Sequence, residues 1–304
     1  MCGRYASARK RIELLEEFGV QRDRVDKPLE PDYNVAPTKP VYAVLTRSAH
    51  GGRNAGDTRD TRDTRDTRNG RDARDAGDAG GEAASGPAAD EPRRELRVVR
   101  WGLVPPWAKD PSIGSRLINA RAETVSEKPA FRSAFARRRC LLPADGYFEW
   151  QRIPADPQAG TRAAKQPYFI TRADGGPLAF AGLYELWRDR ERDAADPGAW
   201  LWTATIITTS APDELGQIHD RMPMVVDPRW WPDWLDPAAE SPAELLPLLA
   251  PAMTTGLTSY PVSAEVNSVR NNGPGLIRPL MPAGPAAASP GGGGNGPAGH
   301  DKLY

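Results

Sequence analysis

The sequence predicts an α+β fold: a single domain around a twisted, barrel-like antiparallel β-sheet with short flanking helices. Three observations predict it. Runs of strand composition recur along most of the chain and outnumber the helical stretches. Every helical stretch is short. Two segments, about 47–94 and 281–304, cannot build a core, and without them roughly 230 residues remain, enough for one compact domain.

The elements follow in order. Arg9 to Phe18 (RKRIELLEEF) spaces its apolar residues at helical intervals, and Gly19 stops it. Pro40 to Thr46 (PVYAVLT) and Glu95 to Trp101 (ELRVVRW) read as strands of a hairpin, with the segment 47–94 inserted where its turn would be. Lys128 to Arg138 reads as a short helix with Pro129 near its first turn. Arg139 to Pro143 and Tyr147 to Arg152 read as strands around the turn Ala144-Asp145-Gly146. Tyr168 to Thr171, Leu178 to Trp187 and Leu201 to Thr209 continue the strand series. Pro212 to Ile218 reads as a short helix and Met224 to Val226 as a short strand.

The inserted segment has its own character. Four Asp-Thr-Arg triplets open at Asp57, and Asp57 to Asp75 holds six Asp, six Arg and no apolar residue larger than Ala. Such a segment cannot bury enough surface to offset its ordering entropy, so it is expected to be a solvated, low-complexity loop. The interleaved Asp cancels each Arg, which argues against a nucleic-acid arm. The Gly/Pro-rich tail, 281–304, is expected to be flexible. One domain over 2–280, interrupted at about 47–94, is the resulting plan.

Composition narrows the function. With 40 basic and 40 acidic residues the formal charge is zero, which excludes a general basic coat. A local basic face survives, because Arg116 to Arg139 holds seven basic and two acidic residues. No apolar run is long enough to span a membrane, and the first residues lack the apolar core of a secretory signal. Cys2 and Cys140 are the only cysteines, so no disulfide framework or cysteine-rich zinc site is expected, and the compartment reads as cytoplasmic.

The chemistry begins at Cys2. Removal of Met1 is expected to leave Cys2 as the mature N-terminus, with an amine (pKa about 7.7–8.0) and a thiol (about 8.5) on adjacent carbons. That pair suits N-terminal-nucleophile hydrolysis, with the amine as base for its own thiol. It equally suits aldehyde capture, in which the amine forms an imine and the thiol closes it to a thiazolidine. Alone, Cys2 is also compatible with an ordinary second residue.

Further blocks reduce that ambiguity: Met1-Cys2-Gly3-Arg4, Tyr33 to Thr38 (YNVAPT), Trp101 to Trp107 (WGLVPPW), Asn119 to Thr124 (NARAET), Asp145 to Trp150 (DGYFEW), His219 to Pro223 (HDRMP), and Val266-Asn267 followed by Asn271 to Pro274. Seven blocks in this order resemble the SOS response-associated peptidase (SRAP) family, over Cys2 to about Pro279. The resemblance implies a shield for abasic sites in single-stranded DNA, held as a covalent thiazolidine with the ring-opened sugar. It implies Cys2 as nucleophile, Asn119 orienting its reacting end, Glu149 assisting sugar opening and proton transfer, and His219 as partner acid or base. The same Cys2, Glu149 and His219 would remove Met1 by autoproteolysis. Arg4 and Arg121 would hold phosphates, with Asn34 of the YNVAPT block beside them on the DNA side. A further phosphate-binding position falls on Pro129, so Lys128 or Arg132 must substitute. The Asp-Thr-Arg insertion is not a usual family feature.

The residues supply reasons of their own. An abasic sugar is mostly a closed hemiacetal, so an acid/base group must promote its opening. Glu149 lies between aromatic neighbours, where burial would raise its pKa. His219 is one of three histidines, and His50 and His300 fall in the low-complexity segments. Trp101 and Trp107 could stack on bases or belong to the core, and Cys140 reads as a buried strand residue. The Arg137-Arg138-Arg139 run reads as a basic face or a solvated helix. The expected partner is single-stranded DNA with abasic sites, bound by a monomer without metal or cofactor. Two other classes stay open: an N-terminal-nucleophile glutamine amidotransferase, and a non-covalent reader of modified bases in DNA.

Overall fold

The computed structural model describes residues 2–47, 91–156, 158, 162–250 and 255–280. The expectations for the Asp-Thr-Arg insertion and the Gly/Pro-rich tail lie outside these residues. From the N-terminus come β1 (Tyr5–Ser7), α1 (Arg11–Glu17), β2 (Arg22–Asp23), β3 (Asp32–Val35), β4 (Pro40–Arg47) and β5 (Arg93–Trp101). Then follow β6 (Asn119–Arg121), α2 (Arg132–Arg137), β7 (Arg139–Ala144), β8 (Gly146–Ile153), β9 (Ala164–Arg172), β10 (Leu178–Arg188) and β11 (Trp200–Ser210). The last are α3 (Asp213–Gly216), β12 (Arg221–Pro223), α4 (Trp231–Leu235), α5 (Pro242–Leu245) and β13 (Leu257–Pro261). No helix among the described residues is long and apolar enough to cross a membrane.

The fold is α+β. Strands β11, β10, β7, β4 and β5 pair in that order, each antiparallel to the next, and β5 returns to pair with β11. This closing seam is parallel, Thr203 opposite Arg100 and Ala204 opposite Trp101, so the barrel is mixed rather than wholly antiparallel. Closure leaves no sheet edge between these five strands. Strands β13, β9, β8, β1 and β3 form a second, antiparallel sheet.

Strand sequences explain this burial. In β4, Val41, Ala43 and Leu45 enter one apolar cluster and Tyr42 and Val44 another. In β10, Leu178, Phe180 and Tyr184 enter the first and Ala179, Ala181 and Leu183 the second. Strands buried on both faces read as unbroken apolar runs, as PVYAVL and LAFAGLY do.

The structure corrects several expectations. The turn at Ala144-Asp145-Gly146 does not close a hairpin, because β7 lies in the barrel and β8 in the second sheet. It is a corner between sheets, held where Asp145 accepts from the Ala8 N–H at 2.6 Å. Gly146 is required there, since a Cβ would stand 2.3 Å from the Phe169 ring and 2.6 Å from the Ile170 carbonyl oxygen. Helix α2 starts at Arg132, so Lys128 and Pro129 lie in the preceding turn. The strand expected at Met224 to Val226 is β12, displaced to Arg221–Pro223, with Val225 making a single bridge to Phe180. The Arg137-Arg138-Arg139 run is no continuous basic face. Arg138 pairs with Glu185 at 2.8 Å, and Arg139 is buried, donating to the carbonyls of Trp234, Phe135, Ala136, Asp236 and Ala239.

Candidate active site at the amino terminus

The site forms where the chain start crosses between the two sheets. Tyr5 pairs with Tyr147 and the Phe148 N–H donates to the Arg4 carbonyl, so extending this antiparallel register puts Gly3 opposite Glu149. Tyr147 and Glu149 share a face of β8, as alternate strand residues must. Strand β6 lies parallel to β11 with Asn119 opposite Ile206, and β12 pairs back onto the end of β11 just after His219. Segments distant in sequence thus converge on Cys2.

Cys2 has no exposed surface. The Asn119 side-chain Nδ2 donates to its carbonyl at 2.7 Å. The other amide atom of Asn119, Oδ1, is buried without a hydrogen-bond partner among the described residues. Burial raises the Cys2 thiol pKa, and the Glu149 charge raises it further. Glu149 is itself buried, and desolvation pushes its carboxyl up to about 7, with Asp220 adding in the same direction. A carboxyl at that value carries and releases protons at neutral pH.

His219 faces the same cleft. Tyr147, Glu149, Ile170, Leu215, His219 and Arg221 line it, around a cavity of about 10 Å³, close to the room one water needs. Nδ1 of His219 lies 3.0 Å from the Arg221 N–H and 2.9 Å from Asp220 Oδ1. One nitrogen cannot accept from the first and donate to the second. Burial lowers the His219 pKa despite Asp220, which favours a neutral ring with Nδ1 accepting from Arg221 and the proton on Nε2.

The sequence-predicted residues divide into three groups. Cys2, Asn119, Glu149 and His219 are brought together. Arg4 stands beside them, donating to Asn34 Oδ1 at 2.7 Å and to the Val266 carbonyl at 2.9 Å, with its guanidinium 6.0 Å from the Trp150 ring centre. Asn34 and Trp101 are corrected. Asn34 is wholly buried and spends its side chain on Arg4 and on the carbonyls of Val266, Ser268 and Asn271, so it is scaffold with no face for DNA. Trp101 is wholly buried, donating to the Ile118 carbonyl with its ring 5.2 Å from Tyr5, so no base can stack on it. Trp107 is 58% exposed and Arg121, Lys128 and Arg132 are exposed. Arg121 shares a strand face with Asn119. No described contact joins Trp107, Lys128 or Arg132 to the cleft.

Tyr147 and Arg221 were not singled out from sequence, although they lie inside the DGYFEW and HDRMP blocks quoted for their neighbours. No group of three or more His, Cys, Asp or Glu side chains among the described residues could hold a metal ion.

With this geometry in view, comparison with known proteins is direct. The family model described as SOS response associated peptidase (SRAP) matches residues 1–269. The chain belongs to the SRAP family. It is similar to the abasic site processing protein YoqW of Bacillus subtilis, 34% identical over 277 residues, which cover 91% of this chain and 99% of that one. The SRAP chain also resembles the abasic site processing protein HMCES of Mus musculus, 34% identical over 220 residues, or 63% of this chain and 58% of that one. Among solved structures, a Bacteroides thetaiotaomicron protein superposes with a TM-score of 0.64 at 24% identity, covering 92% of this chain and all of that one, a likeness of fold.

Proposed function

We propose that this protein captures abasic sites in single-stranded DNA as a covalent thiazolidine on Cys2, once Met1 has been removed, and so shields them. One observation carries the reading: Cys2 is buried, held through its carbonyl by Asn119, beside a Glu149 carboxyl whose pKa is about 7. Family membership and the names of the relatives agree with it.

The steps balance as follows. Hydrolysis of the Met1–Cys2 peptide bond frees the Cys2 amine, served by Cys2, Glu149 and His219. The sugar hemiacetal opens when its ring oxygen gains a proton and its hydroxyl loses one, a relocation that a half-ionised Glu149 serves in both directions. The amine adds to the aldehyde carbon and water departs, leaving an imine. The sulfur then adds to the imine carbon and the thiol proton ends on nitrogen. Because burial raises the thiol pKa, sulfur attacks only as its proton is taken, and ionised Glu149 is the group that takes it and returns it to nitrogen, while the His219 Nε2–H serves as a donor. Ring closure also removes the C=N group that would promote β-elimination, so the strand stays uncut. The unpartnered Asn119 Oδ1 is an acceptor for the freed amine. Arg4 and Arg121 hold phosphates, Lys128 and Arg132 extend that track, and Trp107 stacks on an unpaired base. This reading places the protein on damaged DNA in the cytoplasm, acting as a monomer.

Denaturing gels of the purified protein with an abasic single-stranded oligonucleotide test it. Wild type should give a slow band without borohydride, and Cys2→Ala should give one only after reductive trapping. Wild-type binding that is wholly reversible would overturn the proposal.

A further inference from the structure

Glu123 and Arg221 stand 98 residues apart and meet across the cleft wall. The Glu123 carboxylate receives Arg221 Nη1 at 2.5 Å on one oxygen and Nη2 at 3.0 Å on the other, and Nη2 also reaches the Thr208 carbonyl at 2.7 Å. A two-pronged pair fixes the plane of the guanidinium as well as its position. Glu123 follows directly on the strand carrying Asn119, whose side chain holds Cys2. Arg221 donates its backbone N–H to His219 Nδ1. The pair therefore ties the segment that orients Cys2 to the turn that orients His219.

We propose that Glu123 is a positioning residue for this cleft, aiming His219 and setting the local charge by gripping Arg221. The proposal rests on the functional reading above and deepens it. Three features separate this from a merely stabilising surface pair. Glu123 is half exposed, where an ion pair contributes only about 0–1 kcal/mol to stability. Arg221 lines the cleft, and its Nε–H is buried without an acceptor among the described residues. The Arg221 hydrogen bond also keeps the Glu123 carboxyl below its ordinary range, so the neutralising charge persists at working pH.

The test is the titration of the His219 ring by NMR, feasible because the chain has three histidines. The charges acting on His219 are Asp220 on its own turn, Arg152 on β8 and the amino terminus, while Glu149 and Arg221 share its cleft and Arg221 also meets it through the backbone N–H; Glu123 itself faces Arg221 and Arg121. In Glu123→Gln the Arg221 charge is no longer balanced, so imidazolium becomes harder to form. The His219 pKa should fall by several tenths of a unit, and Glu123→Asp should restore most of it. Capture of abasic single-stranded DNA by Glu123→Gln should slow about tenfold through misplacement, with an altered pH profile. An unchanged His219 titration in folded Glu123→Gln would overturn the proposal, even if capture fell with thermal stability. A wild-type protein that fails to capture DNA while its His219 still responds to Glu123 would instead sink the functional reading and leave the positioning intact.

Discussion

A buried carboxyl with a pKa near 7 is half ionised at neutral pH, and desolvation rather than a neighbouring charge puts Glu149 there. Glu149→Gln should slow capture by about 10²–10⁴-fold, with affinity for a stable abasic analogue largely kept. Equal losses in rate and affinity would assign Glu149 to binding. The same residue makes stability depend on pH. Its folded pKa lies above the ordinary value of 4.5, so the folded state favours the protonated form. That contribution is complete below about pH 4.5 and is lost as pH rises through about 7. Glu149→Gln, which stays neutral, should therefore match wild type near pH 4 and exceed it by about 3 kcal/mol at pH 8. Thermal melts across that range check it, and a constant difference would place the effect elsewhere. At this scale the burial and raised pKa of Glu149 were legible from its aromatic neighbours. Burial direction was not: Asn34 and Trp101 carry groups suited to DNA contact, yet the fold turns both into the interior.

Among elements, legibility followed length and burial. The long barrel strands β4, β5, β10 and β11 announce themselves as apolar or alternating runs. Strands β1, β3 and β6, of three or four residues, carry too little pattern to be read; β1 begins three residues after Cys2, and β3 and β6 carry Asn34 and Asn119. The β7–β8 corner was misread because Asp-Gly between apolar runs is the usual hairpin signal, while the destination of each strand is decided by non-local pairing. Arg139 shows the same limit. Read in sequence it is the last of three basic residues; in the fold its guanidinium binds the carbonyl ends of α2 and the α4 region. Burial lowers its pKa, offset by Asp236 and other charges, and the carbonyl oxygens supply the compensation a buried cation needs. Arg139→Ala should destabilise the protein on the order of 3 kcal/mol, because several buried carbonyls lose their donors. Arg139→Lys should recover only part, since an ammonium cannot reach them in a planar fork. Urea denaturation measures both; a near-neutral Arg139→Ala would mean that water replaces the guanidinium.

For the whole molecule, closure of the barrel separates the Cys2 end from the end where the insertion departs. The β4–β5 ladder runs from Pro40 opposite Arg100 to Arg47 opposite Arg93, so the chain leaves and re-enters across one antiparallel rung. Trp101, packed against Tyr5 near Cys2, lies at the far end of β5. At about 3.3 Å per residue, eight steps put roughly 25 Å between the two ends. The reentry end is closed by Arg97 and Arg47 over the Trp202 ring, at 4.3 and 5.7 Å from its centre, with Tyr184 stacked at 5.6 Å. Replacing residues 48–92 with Asn-Gly should therefore give an ordinary two-residue hairpin, since this pair favours the turn that matches strand twist. Shortening the closed loop lowers its closure entropy, at about 0.6 kcal/mol per halving of length, so the variant should gain about 2–3 kcal/mol. Capture of abasic single-stranded DNA should keep its rate, because the deletion leaves the Cys2 end of the barrel untouched. Thermal melts and the denaturing-gel assay read the two outcomes separately. A variant that melts lower shows that the inserted segment packs on the barrel, and one that folds well but captures slowly shows that it reaches the DNA.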